Sequence, residues 1–89
     1  MRLIAILLAA SAVLMGCEPP PTLEDIQRKV LADSIDQYNI VANGGSAMDR
    51  CVRAGLVSAA AVQAKDSAQH ERWRQVEKDD CAAAGVPKN

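Results

Sequence analysis

The sequence predicts an all-α fold: a small three-helix domain whose last two helices form an antiparallel hairpin stapled by a disulfide. Three observations predict it. In two long stretches apolar residues recur at steps of three and four, the period of a helix that buries one side. Residues of N-cap type precede these stretches, and glycines follow them. Cys51 and Cys81 flank a further capping signal near Asp66 at equal distances, as facing positions on antiparallel helices would.

The chain opens with Met1-Arg2 and an uncharged apolar run over residues 3–14. Twelve residues would rise only about 18 Å as a helix, against roughly 30 Å of hydrocarbon. The run is too short for a span and has the layout of a secretory signal. It closes on Leu14-Met15-Gly16-Cys17, which resembles the lipobox of bacterial lipoproteins: an apolar residue, a variable one, a small one, then cysteine. That resemblance implies a signal peptide over residues 1–16, cleavage between Gly16 and Cys17 by type II signal peptidase, and a diacylglycerol on the Cys17 thiol. Leu14 and Gly16 match the motif, whereas Met15 departs from the usual small or β-branched choice. The alternative is an uncleaved N-terminal anchor with an incidental cysteine. Two or more acyl chains hold a protein stably on a bilayer, so the implied membrane partner is reached through lipid on Cys17. Glu18 rather than Asp follows the cysteine, which by analogy with enterobacterial sorting favours the periplasmic face of the outer membrane.

Residues 17–21 form the lipidated cysteine and a tether, Glu18-Pro19-Pro20-Pro21, which excludes helix and favours an extended polyproline form of about 3 Å per residue. The domain proper is expected over residues 22–86, with a tail at 87–89. Thr22 is the expected N-cap of the first helix, with Glu24 and Asp25 in the first turn, where the helix dipole favours acids. Leu23, Ile26, Val30, Leu31, Ile35, Tyr38 and Ala42 then make one apolar stripe. Asn43-Gly44-Gly45 is expected to stop it through a left-handed glycine.

Ser46 is the next expected N-cap, with Asp49 in the capping-box position. Met48, Cys51, Val52, Gly55, Leu56, Ala59 and Val62 define the expected buried face of the second helix. Gly55 either ends a short helix or allows close packing within a longer one. Asp66-Ser67-Ala68-Gln69 signals a third start, followed by Trp73, Val76, Cys81 and Ala84, with Gly85 and Pro87 beyond. Folding back near residues 65 and 66 places Cys51 opposite Cys81. A single straight helix would instead hold them roughly 30 Å or more apart.

Cysteine parity agrees. With Cys17 assigned to lipid, Cys51 and Cys81 form an even pair, and in an oxidising compartment a disulfide is the default. It would stabilise so small a domain by about 3 to 4 kcal/mol. A redox pair or metal ligands are the alternatives, but Cys-x₂-Cys spacing is missing and His70 is the only histidine.

Function is bounded mainly by exclusion. Without Arg2 the mature chain has eleven acids against nine bases, which leaves no basic face for nucleic acid and no polybasic segment for anionic lipid. There is no Phe, and two aromatics do not make a stacking platform. His70 is expected at the surface; no signature places Ser58 or Ser67 as a nucleophile beside it. Glu77, Asp79 and Asp80 read as a solvated face rather than a calcium site. No catalytic residue, cofactor, metal or small-molecule substrate is indicated. Trp73 and Tyr38 are expected to fill the core, with anchorage of a partner as the alternative. The segments Asp49–Leu56 and Asp79–Val86 share Asp, Cys, Ala and Gly at a spacing of 30, and chance in an Ala-rich chain is the favoured explanation. These Cys-x-x-Ala-Gly segments look somewhat like those of small phage-associated helical lipoproteins. The expected function is a membrane-anchored, non-catalytic adaptor or modulator that binds another envelope protein. A phage-derived receptor-masking or membrane-perturbing lipoprotein is the alternative.

Overall fold

A computed structural model describes residues 19–87. The expected signal peptide and the lipidation site at Gly16-Cys17 lie outside the described residues. Within them the chain forms three helices, α1 (Leu23–Gly44), α2 (Ala47–Gln63) and α3 (Ser67–Ala83), with no strand among the described residues. Pro19, Pro20 and Pro21 are exposed and non-helical.

All three starts are set by side chains that satisfy free backbone N–H groups. The Thr22 hydroxyl accepts from the Asp25 amide at 3.1 Å, and the Asp25 carboxylate accepts from the Thr22 amide at 3.4 Å. Ser46 and Asp49 repeat this reciprocal pair at 3.1 and 3.2 Å. The Asp66 carboxylate accepts from the Gln69 amide at 3.1 Å.

Helix ends follow a different rule from the expected one at the first turn. No left-handed glycine stops α1: the helix runs through Gly44, and Gly45 is extended, at φ −89° and ψ 172°. What requires glycine there is space, since a Cβ on Gly45 would lie 2.8 Å from the Val41 carbonyl oxygen. The other two ends do use the left-handed region. At the end of α3, Gly85 adopts φ 80°; its amide donates to the Ala82 carbonyl and that of Val86 to the Cys81 carbonyl. The same two-bond closure ends α2, where the Lys65 amide donates to Val62 and that of Asp66 to Ala61. There the left-handed position is held by Lys65, at φ 56°.

α2 lies between α1 and α3, and its buried face differs from the expected one. Met48, Val52, Leu56 and Val62 are all exposed; the residues turned inward are Cys51, Ala54, Val57, Ser58, Ala60 and Ala61. The correction has a physical cause. Met, Val and Leu on one side of α2 and Cys, Ala and Val on the other both recur at the helical period, so periodicity alone does not choose between them. The small residues win because they let α3 approach closely, bringing the Cα atoms of the Cys51–Cys81 disulfide to 4.6 Å. Gly55 lies within α2 and allows the Glu77 side chain to fold across it; a Cβ there would sit 2.7 Å from the carboxylate. Since Gly85 is a helix terminator, the two Cys-x-x-Ala-Gly segments have different backbone roles.

The core is Leu31 from α1, Val57, Ala60 and Ala61 from α2, and Trp73 from α3, with Ile35, Tyr38, Ala64 and Val76 packed against it. Only part of the α1 stripe therefore turns inward. Leu23, Ile26 and Val30 are exposed.

Candidate functional site

Three arrangements could bear on function. The first ties the helices together at the disulfide end. The Tyr38 hydroxyl donates to Asp80 Oδ2 at 2.6 Å. Arg50 Nε stands 3.7 Å from Asp80 Oδ1, while its Nη1 donates to the Gly45 carbonyl at 3.2 Å. Tyr38, Arg50 and Asp80 come from α1, α2 and α3, beside the sulfur bridge between residues 51 and 81. Burial, and then the hydrogen bond to Asp80, push the Tyr38 phenol up to about 12. Deprotonation would place an anion against a carboxylate. The cluster therefore holds its proton and its helices.

The second joins α2 to α3 at the other end. His70 is half-buried rather than at the surface as expected, and its Nδ1 lies 3.1 Å from both the hydroxyl and the carbonyl oxygen of Ser58. With its proton on Nδ1 the ring donates to the Ser58 carbonyl, and with its proton on Nε2 it accepts from the Ser58 hydroxyl; either tautomer joins the two helices. Ser58 is itself buried. No acid among the described residues is hydrogen-bonded to the ring. The contact clasps α2 to α3.

Trp73 belongs to the core. It is only 6% exposed, meets the Tyr38 ring edge-on with centroids 4.9 Å apart, and donates from Nε1 to Gln69 Oε1 at 3.1 Å. Trp73 is enclosed by these contacts, and Tyr38 is half-buried against it. Among the described residues no group of three His, Cys, Asp or Glu side chains could hold a metal ion.

The third arrangement is a surface. On α2 the outward residues Met48, Val52, Leu56, Ala59 and Val62 carry no charge and are exposed. Leu56 faces Val30 across a shallow groove between α1 and α2 of about 180 Å³, lined also by Asp33, Ser34, Gln37 and Arg53. With the exposed Leu23 and Ile26 on the same side of α1, this makes an apolar face two helices wide. Sequence reasoning placed most of these residues in the core. One signal would have corrected it: Cys51 must face α3 to reach Cys81, so Ala54, Gly55 and Ser58, three, four and seven residues on, face α3 too. Met48, Val52 and Leu56 are then left for another side.

No described helix is long and apolar enough to cross a membrane. Comparison of the chain with protein-family models, curated proteins and solved structures finds no match.

Proposed function

We propose that this protein is a lipid-anchored adaptor of the bacterial envelope, held on the membrane through Cys17 and acting without catalysis by presenting the α1–α2 face to a protein partner. The observation that carries the reading is the uncharged exposed side of α2, with Met48, Val52 and Leu56 facing outward beside Val30 of α1. Soluble domains seldom leave such a face uncovered, and when they do it commonly marks an interaction site. In support, the disulfide, the Ser58–His70 contact and the Arg50–Asp80 ion pair tie α2 to α3, and the Tyr38–Asp80 hydrogen bond ties α1 to α3. Leu14-Met15-Gly16-Cys17 supplies the tether's chemistry, and the short run to Thr22 keeps the domain near the bilayer.

The test is mass spectrometry and cross-linking on the full chain expressed in an envelope-competent bacterium. The expected outcome is a chain that begins at Cys17 with added diacylglycerol, fractionates with membranes, and gives a reproducible cross-linked species. Cys17→Ala should release it from the membrane fraction, and Leu56→Glu should abolish the cross-link while leaving helix content unchanged. An intact Met1 terminus would overturn the anchor, and a cross-link indifferent to Leu56→Glu would overturn the face.

A further inference from the structure

We infer that the disulfide of this domain is a site of thiol exchange, opened at Cys81 by a small anionic thiol that enters the groove beside it. The inference does not draw on the α1–α2 face and stands apart from the adaptor reading. The two sulfurs are unequally placed: Cys51 is buried, at 8% exposure, whereas Cys81 is partly open to solvent. Cys81 lines a groove of about 420 Å³ along α3, to which Val86 and Pro87 contribute from the turn that follows the helix. Among the described residues none of α1 or α2 lines this groove. A thiolate entering there reaches Cys81 first, with Cys51 beyond it, so that incoming, attacked and leaving sulfurs stand in one row. That row is the geometry of exchange through a mixed disulfide.

Charge selects the thiol. Arg74 and Lys78, one helical turn apart, line the groove and are exposed, and the ion pairs among the described residues include neither. Glu77 is the one acid in the lining, and its carboxylate is folded across Gly55 on α2. A thiol carrying a carboxylate or sulfonate is therefore drawn in, and the two cations favour its thiolate form over the neutral thiol. Val86 sets the width of the entry. With Gly85 left-handed at φ 80°, the Val86 amide donates to the Cys81 carbonyl at 2.9 Å, which brings the residue back beside Cys81. In the exchange, a bond forms between the incoming sulfur and Cys81 Sγ as the bond between Cys81 Sγ and Cys51 Sγ breaks. The bonding pair leaves on Cys51 as a thiolate, which takes a proton from water. A second molecule of the thiol then displaces Cys81, is oxidised together with the first to a small disulfide, and leaves two protein thiols.

The experiment exposes the full-length chain, extracted in neutral detergent, to an anionic, a neutral and a cationic monothiol: mercaptoethanesulfonate, mercaptoethanol and cysteamine, at matched thiolate concentrations. N-Ethylmaleimide stops the reaction early, and peptide mass spectrometry reads which cysteine carries the mixed disulfide. Cys81 should carry it in preference to Cys51 by about tenfold, because access decides which sulfur is attacked. The anionic thiol should react about three- to tenfold faster than the cationic one, and about 0.5 M salt should remove most of that difference. Arg74→Gln/Lys78→Gln should remove it too, at low salt, and Val86→Ala should raise the rate with all three thiols. Salt acts on the unaltered chain, so the test does not depend on how the variants fold. Urea short of the unfolding transition should leave the wild-type rate unchanged. A mixed disulfide shared equally between the two cysteines, or a rate that climbs with the first additions of urea, would place the opening in the unfolded chain and overturn the inference. Equal rates for the anionic and cationic thiols overturn it as well, since the groove then selects nothing.

Discussion

Tyr38 shows how much one side chain contributes in a domain with so few large ones. Its ring closes one side of Trp73 and its hydroxyl reaches Asp80 on a helix its backbone hardly touches. Tyr38→Phe keeps the ring and removes the hydrogen bond to a carboxylate, which should cost about 1.5 to 3 kcal/mol in urea denaturation. The pH dependence has a definite sign. The folded phenol is raised to about 12 from an ordinary value of 10.0, so its contribution is complete below pH 10 and is lost as pH rises from 10 toward 12. Wild type should lose stability over that window more steeply than Tyr38→Phe, and the tyrosine absorbance titration should be displaced upward in the folded protein. Equal slopes for the two chains would show that the phenol titrates alike in both states. Tyr38 was legible in the sequence as a core residue by its place in the stripe. Its bond to Asp80 was not, because polar pairs 42 residues apart leave no local signature.

Among the elements, starts were far more legible than faces. Thr22, Ser46 and Asp66 were each readable as caps, because capping is a local event between a side chain and amides two or three residues on. The inward side of α2 was hidden, since valine, leucine and methionine on the outside compete with alanine and serine on the inside. The α2–α3 turn carries a visible imperfection. Lys65 sits where the two-bond closure ordinarily takes glycine, in the left-handed region that a Cβ disfavours by about 1 to 2 kcal/mol. Lys65→Gly relieves that strain while loosening the unfolded chain, and the balance should raise stability by about 0.5 to 1 kcal/mol. Thermal unfolding followed at 222 nm reads the change. A lowered midpoint would mean that the lysine stem contributes packing that outweighs the backbone strain.

At the scale of the whole domain, the three helices of the described residues share a core cluster of five buried residues, two of them alanine. So little apolar area leaves the folded state dependent on its covalent bond. The separation of 30 residues between Cys51 and Cys81 corresponds to about 3 to 4 kcal/mol in the chain-entropy description. Cys51→Ser/Cys81→Ser should therefore lower the denaturation midpoint sharply at 25 °C, and dithiothreitol should do the same to wild type while leaving the variant unaffected. A reduced chain as stable as the oxidised one would place the stability in the side-chain clusters instead. The pairing itself was readable from cysteine number and spacing, because a hairpin centred at residues 65 and 66 fixes which positions meet. That α1 docks through Leu31, Ile35 and Tyr38 while leaving Leu23, Ile26 and Val30 outside was not readable, since all six belong to one stripe.

The tight turn at Lys65-Asp66 bears on the order in which the molecule is assembled. Two helices joined by so short a link meet early and locally, on a timescale of microseconds to milliseconds, whereas thiol oxidation takes seconds or longer. The sulfurs are thus delivered to each other each time the hairpin forms, and the bond then holds a shape that is only transient without it, as a rivet does in plates briefly aligned. A chain whose hairpin closes poorly would betray itself first as a lag in thiol consumption, well before any deficit of helix in the finished product.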